Sequence, residues 1–423
     1  MNFIEELRWR GMLHDLTPET EEALSGKSVT GYIGFDPTAP SLTIGNYVQI
    51  MLLRLFQNAG HRPIILMGGA TGRIGDPSGK DKERELKSYD ELDRNLAFQQ
   101  KQFYKFLDFD GPNAAIIVNN YDFYKNMNVL DFLRDVGKSM NVGPMIKKTS
   151  VQKRIENGLS FTEFSYQMLQ GYDFQCLFKK HDCILQMGGS DQWGNILAGT
   201  EFIRKNLGET AHAVTTPLLT KADGSKFGKS EAGNIWLDPE MTTPYQFYQF
   251  WLNADDRDLS KFLRYFTYKS HDEVIALEKE YADNPQALKR ILAEELTRRV
   301  HSDEDFMSAL KATNLLFNKK ANRDNLLEMS AADLKTVAGE IETYSIGKTD
   351  LAAGINIADL LAEKTSITAS KGDARRALKG NAVSVNKEKI SSHEAVISSD
   401  ALLRDKYIMI ENGKKNKYLL IAE

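Results

Sequence analysis

The chain has 423 residues, 42% of them apolar and 26% charged, which is ordinary globular composition with enough apolar side chains for a sizeable core. Its 54 Lys and Arg against 58 Asp and Glu leave a formal net charge of -4, which excludes a uniformly basic nucleic-acid coat and an acidic disordered tail protein. The length predicts two or three domains at about 150 residues each, and a local basic face for nucleic acid stays open.

Met1 to Arg10 holds four charges and no apolar leader segment, and no stretch is apolar for long enough to span a membrane, so the expectation is a cytoplasmic protein. The two cysteines, Cys176 and Cys183, fit neither a C-x-x-C pair nor a zinc-finger spacing and read as reduced thiols.

In chain order, Ser28 to Asp36 reads as a strand, Asn46 to Gly60 as a helix stopped by glycine, and Arg62 to Gly69 as a second strand. Ala114 to Asn120, Cys183 to Gly189 and Ala213 to Leu219 follow as further strands, with helical patterns between them. Strands alternating with helices predict an α/β fold with a mostly parallel sheet, and consecutive apolar residues such as Ile64 to Met67 predict strands covered on both faces. From about Pro244 to Leu316 the pattern turns helical, and residues 319–354 are polar and mixed, reading as a linker or a small insertion. The last unit, Ile355 to Glu423, has twelve Lys and Arg against nine Asp and Glu, so it carries +3 and the rest of the chain -7.

Four segments can carry chemistry. Gly34 to Tyr47 (GFDPTAPSLTIGNY) is a strand–turn–helix connection whose helix N-terminus, with Thr38 and Thr43, can hold phosphate; alone it reads equally as an ordinary connection. Gly68 to Arg84 (GGATGRIGDPSGKDKER) has the glycines of a phosphate loop but fails the P-loop and G-x-G-x-x-G patterns, which leaves a loop with Asp76, Lys80 and Arg84. Lys221 to Asn234 (KADGSKFGKSEAGN) is a glycine-rich loop whose Lys226 and Lys229 can close on a polyphosphate, or simply face solvent. In Ser160 to Phe174 (SFTEFSYQMLQGYDF), Tyr166, Gln170 and Asp173 share one helix face, which suits a small polar ligand or a hydrogen-bonded core. Gly188, Gly189, Asp191 and Gln192 follow a strand, at the sheet edge where parallel sheets bind ligands.

Together these segments resemble a class I aminoacyl-tRNA synthetase. Thr43-Ile44-Gly45-Asn46 resembles the His-Ile-Gly-His signature of that class, with Thr43 and Asn46 in place of both histidines, and Lys226 to Ser230 (KFGKS) resembles its Lys-Met-Ser-Lys-Ser loop. With GFDPTAPSL, GGSDQWGN and the ending SKGDARRALKGNAVSVN (Ser370 to Asn386), which is similar to an S4-type RNA-binding module, the order and spacing resemble the bacterial-type tyrosyl-tRNA synthetases over nearly the whole chain. The resemblance implies a Rossmann-like parallel-sheet catalytic domain over 1–220, the KFGKS loop and an anticodon-side α-helical domain over 221–318, a linker over 319–354, and a small α+β S4-like domain over 355–423.

It also implies a reaction and a pocket. Tyrosine would be activated by ATP, with magnesium held through the phosphates and no protein metal cage, and then passed to the 3' end of tRNA(Tyr). Tyr32 and Asp173 would hold the phenol; Asp76, Tyr166 and Gln170 the ammonium; Gln192 the carboxylate. Asp191 with Gly188 and Gly189 would meet the ATP ribose, and Asp36 would lie near the adenylate. Thr38, Thr43, Lys80, Arg84, Lys226 and Lys229 would surround the pyrophosphate, beside Gly45 and Asn46 of the signature. Lys371, Arg375, Arg376 and Lys379 would line an RNA-binding helix edge. A homodimer through the region after Asn120, where Val129 to Met140 is apolar on one side, is implied as well, with no membrane or DNA partner. Thr-Ile-Gly-Asn is shared with tryptophanyl-tRNA synthetases, so a tryptophan-activating enzyme is the alternative substrate reading, and a non-catalytic RNA-binding relative is the alternative from another class.

Overall fold

The computed structural model describes residues 2–76, 86–147, 151, 152, 155, 158–230, 233–318, 320–413 and 416–423. It divides into two compact units, one of Met1–Thr243 with Phe250–Val300, the other of Pro244–Gln249 with His301–Glu423.

The first unit is built on a six-stranded sheet. Its strands are β1 (Asp15–Leu16), β2 (Thr30–Phe35), β3 (Arg62–Met67), β4 (Ile116–Asn119), β5 (Cys183–Gly189) and β6 (His212–Thr216). Their order is β1-β6-β5-β2-β3-β4, and every pair is parallel except β1 with β6. Ile64, Ile65 and Met67 are fully buried, as their consecutive apolar run predicts for a strand covered on both faces. The sixth strand stops at Thr216, short of the predicted Leu219, because Pro217 has no N–H to continue the ladder.

From β2 the chain winds through β3 and β4 to one side, and β5 and β6 lie on the other. The carboxyl ends of β2 and β5 therefore flank a topological switch point, where open α/β sheets leave a crevice. The predicted helix after β2 is Ile44–Asn58, starting two residues earlier than the periodicity suggests because Thr43 and Asn46 form a capping box. Before β5 runs the helix Phe161–His181, capped by Ser160 and ended by Asp182 in the left-handed region at φ 48°. A small hairpin of β7 (Lys229–Ser230) and β8 (Gly233–Asn234) follows β6, and then the helices Leu259–Phe266, His271–Glu280 and Pro285–Val300.

The second unit corrects the expectation of a linker over 319–354. That stretch contains the helices Arg323–Leu327, Ala331–Ala338 and Lys348–Ala353, and the strand β9 (Glu342–Ile346). After β10 (Ile355–Asn356) come β11 (Val383–Val385), β12 (Glu388–Lys389), β13 (Val396–Ile397), β14 (Tyr407–Asn412) and β15 (Asn416–Ala422). The five-stranded sheet has the order β12-β11-β14-β15-β9, so β9 is an edge strand, paired in parallel with the end of the chain. Of its five residues only Ile346 is buried, which is why a polar sequence hid it. The helices predicted from Pro244 to Leu316 also split, Phe250–Val300 belonging to the first unit and Pro244–Gln249 with Asp303–Phe317 to the second.

The core of the second unit gathers Leu351, Ile357, Leu360, Leu361, Leu378, Ile408, Ile410 and Leu420. Leu420 lies fully buried on β15, between β14 and β9. Replacing it by alanine is expected to cost about 2 to 5 kcal/mol, read as a lowered denaturation midpoint for the unit that contains β9.

Candidate active site

The crevice is floored by β2. Gly34 is exposed within an otherwise largely buried strand, and a Cβ placed on it would meet nothing within 4 Å, so open space lies over the strand there. Tyr32, two residues earlier on the same face, is buried with its ring against Phe174 at 5.2 Å between centroids. Its hydroxyl has no hydrogen-bond partner among the described residues. A buried orphan hydroxyl beside open space is what a binding pocket for a polar ligand presents.

Opposite stands Asp173, buried on the helix Phe161–His181. Its Oδ1 accepts from the Tyr124 hydroxyl at 2.7 Å and its Oδ2 from Asn120 Nδ2 at 2.9 Å. Burial pushes its pKa up to about 7, with the Asp36 charge adding to the rise and the two hydrogen bonds opposing it. The Tyr32 hydroxyl is pushed well above its ordinary value by burial and by the Asp173 charge.

A continuous chain of hydrogen bonds ties Asp173 to the end of β2. Asn120 Nδ2 also donates to Thr71 Oγ1 at 3.0 Å, Thr71 donates to Asp36 Oδ1 at 2.7 Å, and Tyr166 donates to Asp36 Oδ2 at 2.9 Å. Gly68 makes the approach possible, because a Cβ there would lie 2.1 Å from Asp36 Oδ1 and 2.6 Å from Thr71 Oγ1. Tyr166, expected beside Asp76 and Gln170, thus gives its proton to Asp36, while Asp76 Oδ2 accepts from Gln192 Nε2 at 2.8 Å. Gln170 is half-buried on the same helix face.

At the end of β5, Gly188 and Gly189 lead into a turn over Ser190–Gln192. A Cβ on Gly189 would stand 2.7 Å from Asp191 Oδ1, so a larger residue there would require that carboxylate to shift. Asp191 opens to the surface, yet the protein around its carboxyl raises the pKa, the Asp76 charge raises it further and Lys226 opposes both.

The two signature stretches meet directly. Ile44 N–H donates to Ile235 O at 2.9 Å and Ile235 N–H to Gly228 O at 3.0 Å. Gly228 has φ +86°, and a Cβ on it would be 2.9 Å from Ile44 Cγ2 and 3.4 Å from Gly45 N. Phe227 anchors the loop, buried among Phe250, Phe262 and Phe266. Lys226 and Lys229 stay exposed on either side of that anchor, and Thr38 is exposed in the turn after β2. Thr43 departs from its expected use: its hydroxyl donates to Asn46 Oδ1 at 2.7 Å, so its one proton is engaged inside the helix cap and not offered to a phosphate. Lys80 and Arg84 lie outside the described residues.

The basic helix of the second unit is Lys371–Lys379, which buries Ala374 and Leu378. Lys371 is paired with Asp359 at 2.7 Å and with Glu363 at 2.9 Å, and Arg376 with Asp373. Arg375 and Lys379 are exposed, one turn apart, and have no carboxylate partner among the described residues.

Residues 24–318 match the family model described as tRNA synthetases class I (W and Y), and residues 333–421 match the tyrosine–tRNA ligase SYY-like C-terminal domain. A tyrosine–tRNA ligase of Cytophaga hutchinsonii is 53% identical over 424 residues, covering 99% of each chain. The chain belongs to the class I tyrosine–tRNA ligase family. The tyrosine–tRNA ligase of Bacteroides fragilis is 50% identical over 431 residues and the full length of both chains. Among solved structures, a C-terminally truncated mitochondrial tyrosyl-tRNA synthetase of Aspergillus nidulans has a TM-score of 0.67 at 29% identity, covering 75% of this chain and 94% of that one. These relatives favour tyrosine over the tryptophan alternative and an enzyme over a non-catalytic RNA binder.

Three members of the hydrogen-bond chain around Asp173 are not among the residues that the motifs single out: Thr71, Asn120 and Tyr124. Asn119 and Asn120, polar residues at the carboxyl end of a predicted parallel strand, were the available signal. Among the described residues no helix is long and apolar enough to cross a membrane, and no group of three His, Cys, Asp or Glu side chains is placed to hold a metal ion. Thr43→Ala removes the capping box and is expected to cost about 1 kcal/mol of stability, measurable by urea denaturation.

Proposed function

We propose that this crevice activates tyrosine with ATP and passes it to tRNA(Tyr). The observation that carries the reading is the buried, doubly hydrogen-bonded Asp173 carboxylate facing an unpartnered Tyr32 hydroxyl. That pair matches a phenol, which donates to the carboxylate and accepts from the hydroxyl. Phenylalanine would leave both groups unpaired, and sites of this kind discriminate by about 10⁴ to 10⁵, a range measured on this enzyme class itself rather than deduced from the pocket.

In the first step the tyrosine carboxylate attacks the α-phosphorus of ATP and pyrophosphate leaves. The substrate supplies the nucleophile, so the protein aligns two reactants and stabilises charge that builds on the leaving group. Asp76, Tyr166 and Gln170 would surround the tyrosine ammonium, with Asp36 next in the hydrogen-bond chain, and Gln192 would lie at its carboxylate. Asp191 and the Gly188–Gly189 backbone would receive the ribose. Lys226 and Lys229 would close over the phosphates from a loop resting on Gly45, with Thr38, Lys80 and Arg84 completing the cationic and hydroxyl lining. Asn46 would act by holding Thr43 and the helix N-terminus in place. Asp36 is engaged by Thr71 and Tyr166, and magnesium would arrive with ATP and be held through phosphate oxygens and water.

In the second step a hydroxyl at the 3' end of the tRNA attacks the aminoacyl carbonyl, the bond to the adenylate phosphate breaks, and AMP leaves. Arg375 and Lys379 are the members of the basic helix with charge to spare for phosphates, with Lys371 and Arg376 contributing once their carboxylate partners yield. The domains would then be the Rossmann-like catalytic body, its helical extension, and an RNA-binding unit that takes in the former linker. Val129, Leu130 and Leu133, 68%, 72% and 47% exposed, supply an apolar surface for a homodimer. The cytoplasm, where tRNA is charged, is its proposed compartment.

Pyrophosphate exchange run with tyrosine, tryptophan and phenylalanine tests the reading. Efficient exchange with tyrosine is expected, with phenylalanine weaker by about 10⁴ or more, and Lys229→Ala should lower the kcat for tyrosine by about 10² to 10³. Exchange with tryptophan instead, or tRNA binding without exchange by any amino acid, would overturn it.

A further inference from the structure

Tyr124 belongs to none of the sequence signatures, yet it is hydrogen-bonded to the residue on which tyrosine recognition rests. It closes the short helix Tyr121–Tyr124 just after β4, and its ring is held at 5.7 Å from Tyr172 and 6.3 Å from Phe132. Its hydroxyl lies 2.7 Å from Asp173 Oδ1 and 2.9 Å from the Leu169 carbonyl. A phenol has one proton for these two oxygens, and the carbonyl can only accept. With Asp173 ionised, the proton goes to the carboxylate, the shorter and charge-assisted bond. With Asp173 protonated, the carboxyl can donate to the Tyr124 oxygen, and the phenol turns its proton to Leu169 O.

We propose that Tyr124 is a positioning residue for substrate selection, fixing the Asp173 carboxylate as an acceptor for the substrate phenol. The inference rests on the tyrosine-activating function proposed above. Asn120 donates to the other oxygen, so each carboxylate oxygen takes one bond from the protein and keeps a lone pair for the ligand.

The groups that share this space set the sign of the pH effect. Tyr32 on β2, Asp36 beyond it, and Tyr166, Tyr172 and Cys176 on the helix of Asp173 all interact with that carboxylate electrostatically. Burial and Asp36 favour its protonated form, and Tyr124 and Asn120 favour the ionised form. Removing the Tyr124 hydroxyl therefore lets Asp173 take up a proton at higher pH. The lost donor also leaves a buried carboxylate oxygen short of one partner.

The test is steady-state exchange by full-length wild type and Tyr124→Phe, with tyrosine and with phenylalanine, across neutral pH. In the wild type, kcat/KM for tyrosine should fall as pH drops through about 7, and kcat/KM for phenylalanine, which has no phenol to bind, should lack that limb. In Tyr124→Phe the limb should move up by about one pH unit. KM for tyrosine should rise about tenfold with kcat within about twofold, and the preference for tyrosine over phenylalanine should fall about tenfold. An active wild type beside a variant with an unmoved limb and an unchanged preference overturns this role for Tyr124 while leaving the proposed function standing. A lowered kcat alone, with the limb in place, also overturns it, since that is the mark of a merely structural contact. A wild type without tyrosine exchange overturns the functional reading, and this inference with it.

Discussion

A carboxylate buried beneath a parallel sheet is the constraint around which this molecule is arranged. Asp173 is 1% exposed, and an ionised carboxylate at that depth is tolerated only with hydrogen-bond donors on its oxygens. The two donors come from the carboxyl end of β4, Asn120 directly and Tyr124 one helical turn later. Asn120 extends the support to Thr71 after β3 and so to Asp36 after β2. Three strand ends and one long helix must therefore be in register before this single charge is satisfied. The crevice at the switch point is where a doubly wound sheet brings such ends together, so fold and site share one geometric cause.

The second half of the site depends on backbone rather than charge. The lysine loop is fastened by the buried ring of Phe227 and by Gly228, whose lack of a Cβ lets the loop lie on Ile44 and Gly45. The same helix start is locked by Thr43 and Asn46. In this chain those two residues serve the helix cap, so in the proposed reaction the positive charge at the phosphates would fall to the lysines. Exposed cations on a loop anchored by one buried ring can move without unfolding anything, as a closing loop requires.

How far sequence reasoning reached follows from what each element must bury. Strands such as β3 bury apolar residues on both faces, so their signal is strong, and β5 was found to the residue. The edge strand β9 buries only Ile346, and nothing in Glu342 to Ser345 distinguishes it from a polar linker; its place is set by pairing with β15, 76 residues further on. Around the crevice, residues inside short motifs are legible as candidates because the motif itself groups their chemistry. Asn120 and Tyr124 lie outside every motif, and Thr71, though inside the Gly68 to Arg84 loop, carries no signal of its own, because each acts through a partner brought close by tertiary folding. The net charge of -4 likewise hid a basic helix, and on that helix two of four cations proved to be neutralised by nearby carboxylates.

The central claim is that the Asp173 carboxylate decides which amino acid is activated. Its most direct test is the ratio of kcat/KM for tyrosine to that for phenylalanine in Asp173→Asn against the unmodified enzyme. The account predicts a collapse of that ratio by about 10³ or more, arising from the loss of tyrosine activity. A ratio that stays within about twofold of the unmodified enzyme's, in a folded variant, would contradict it.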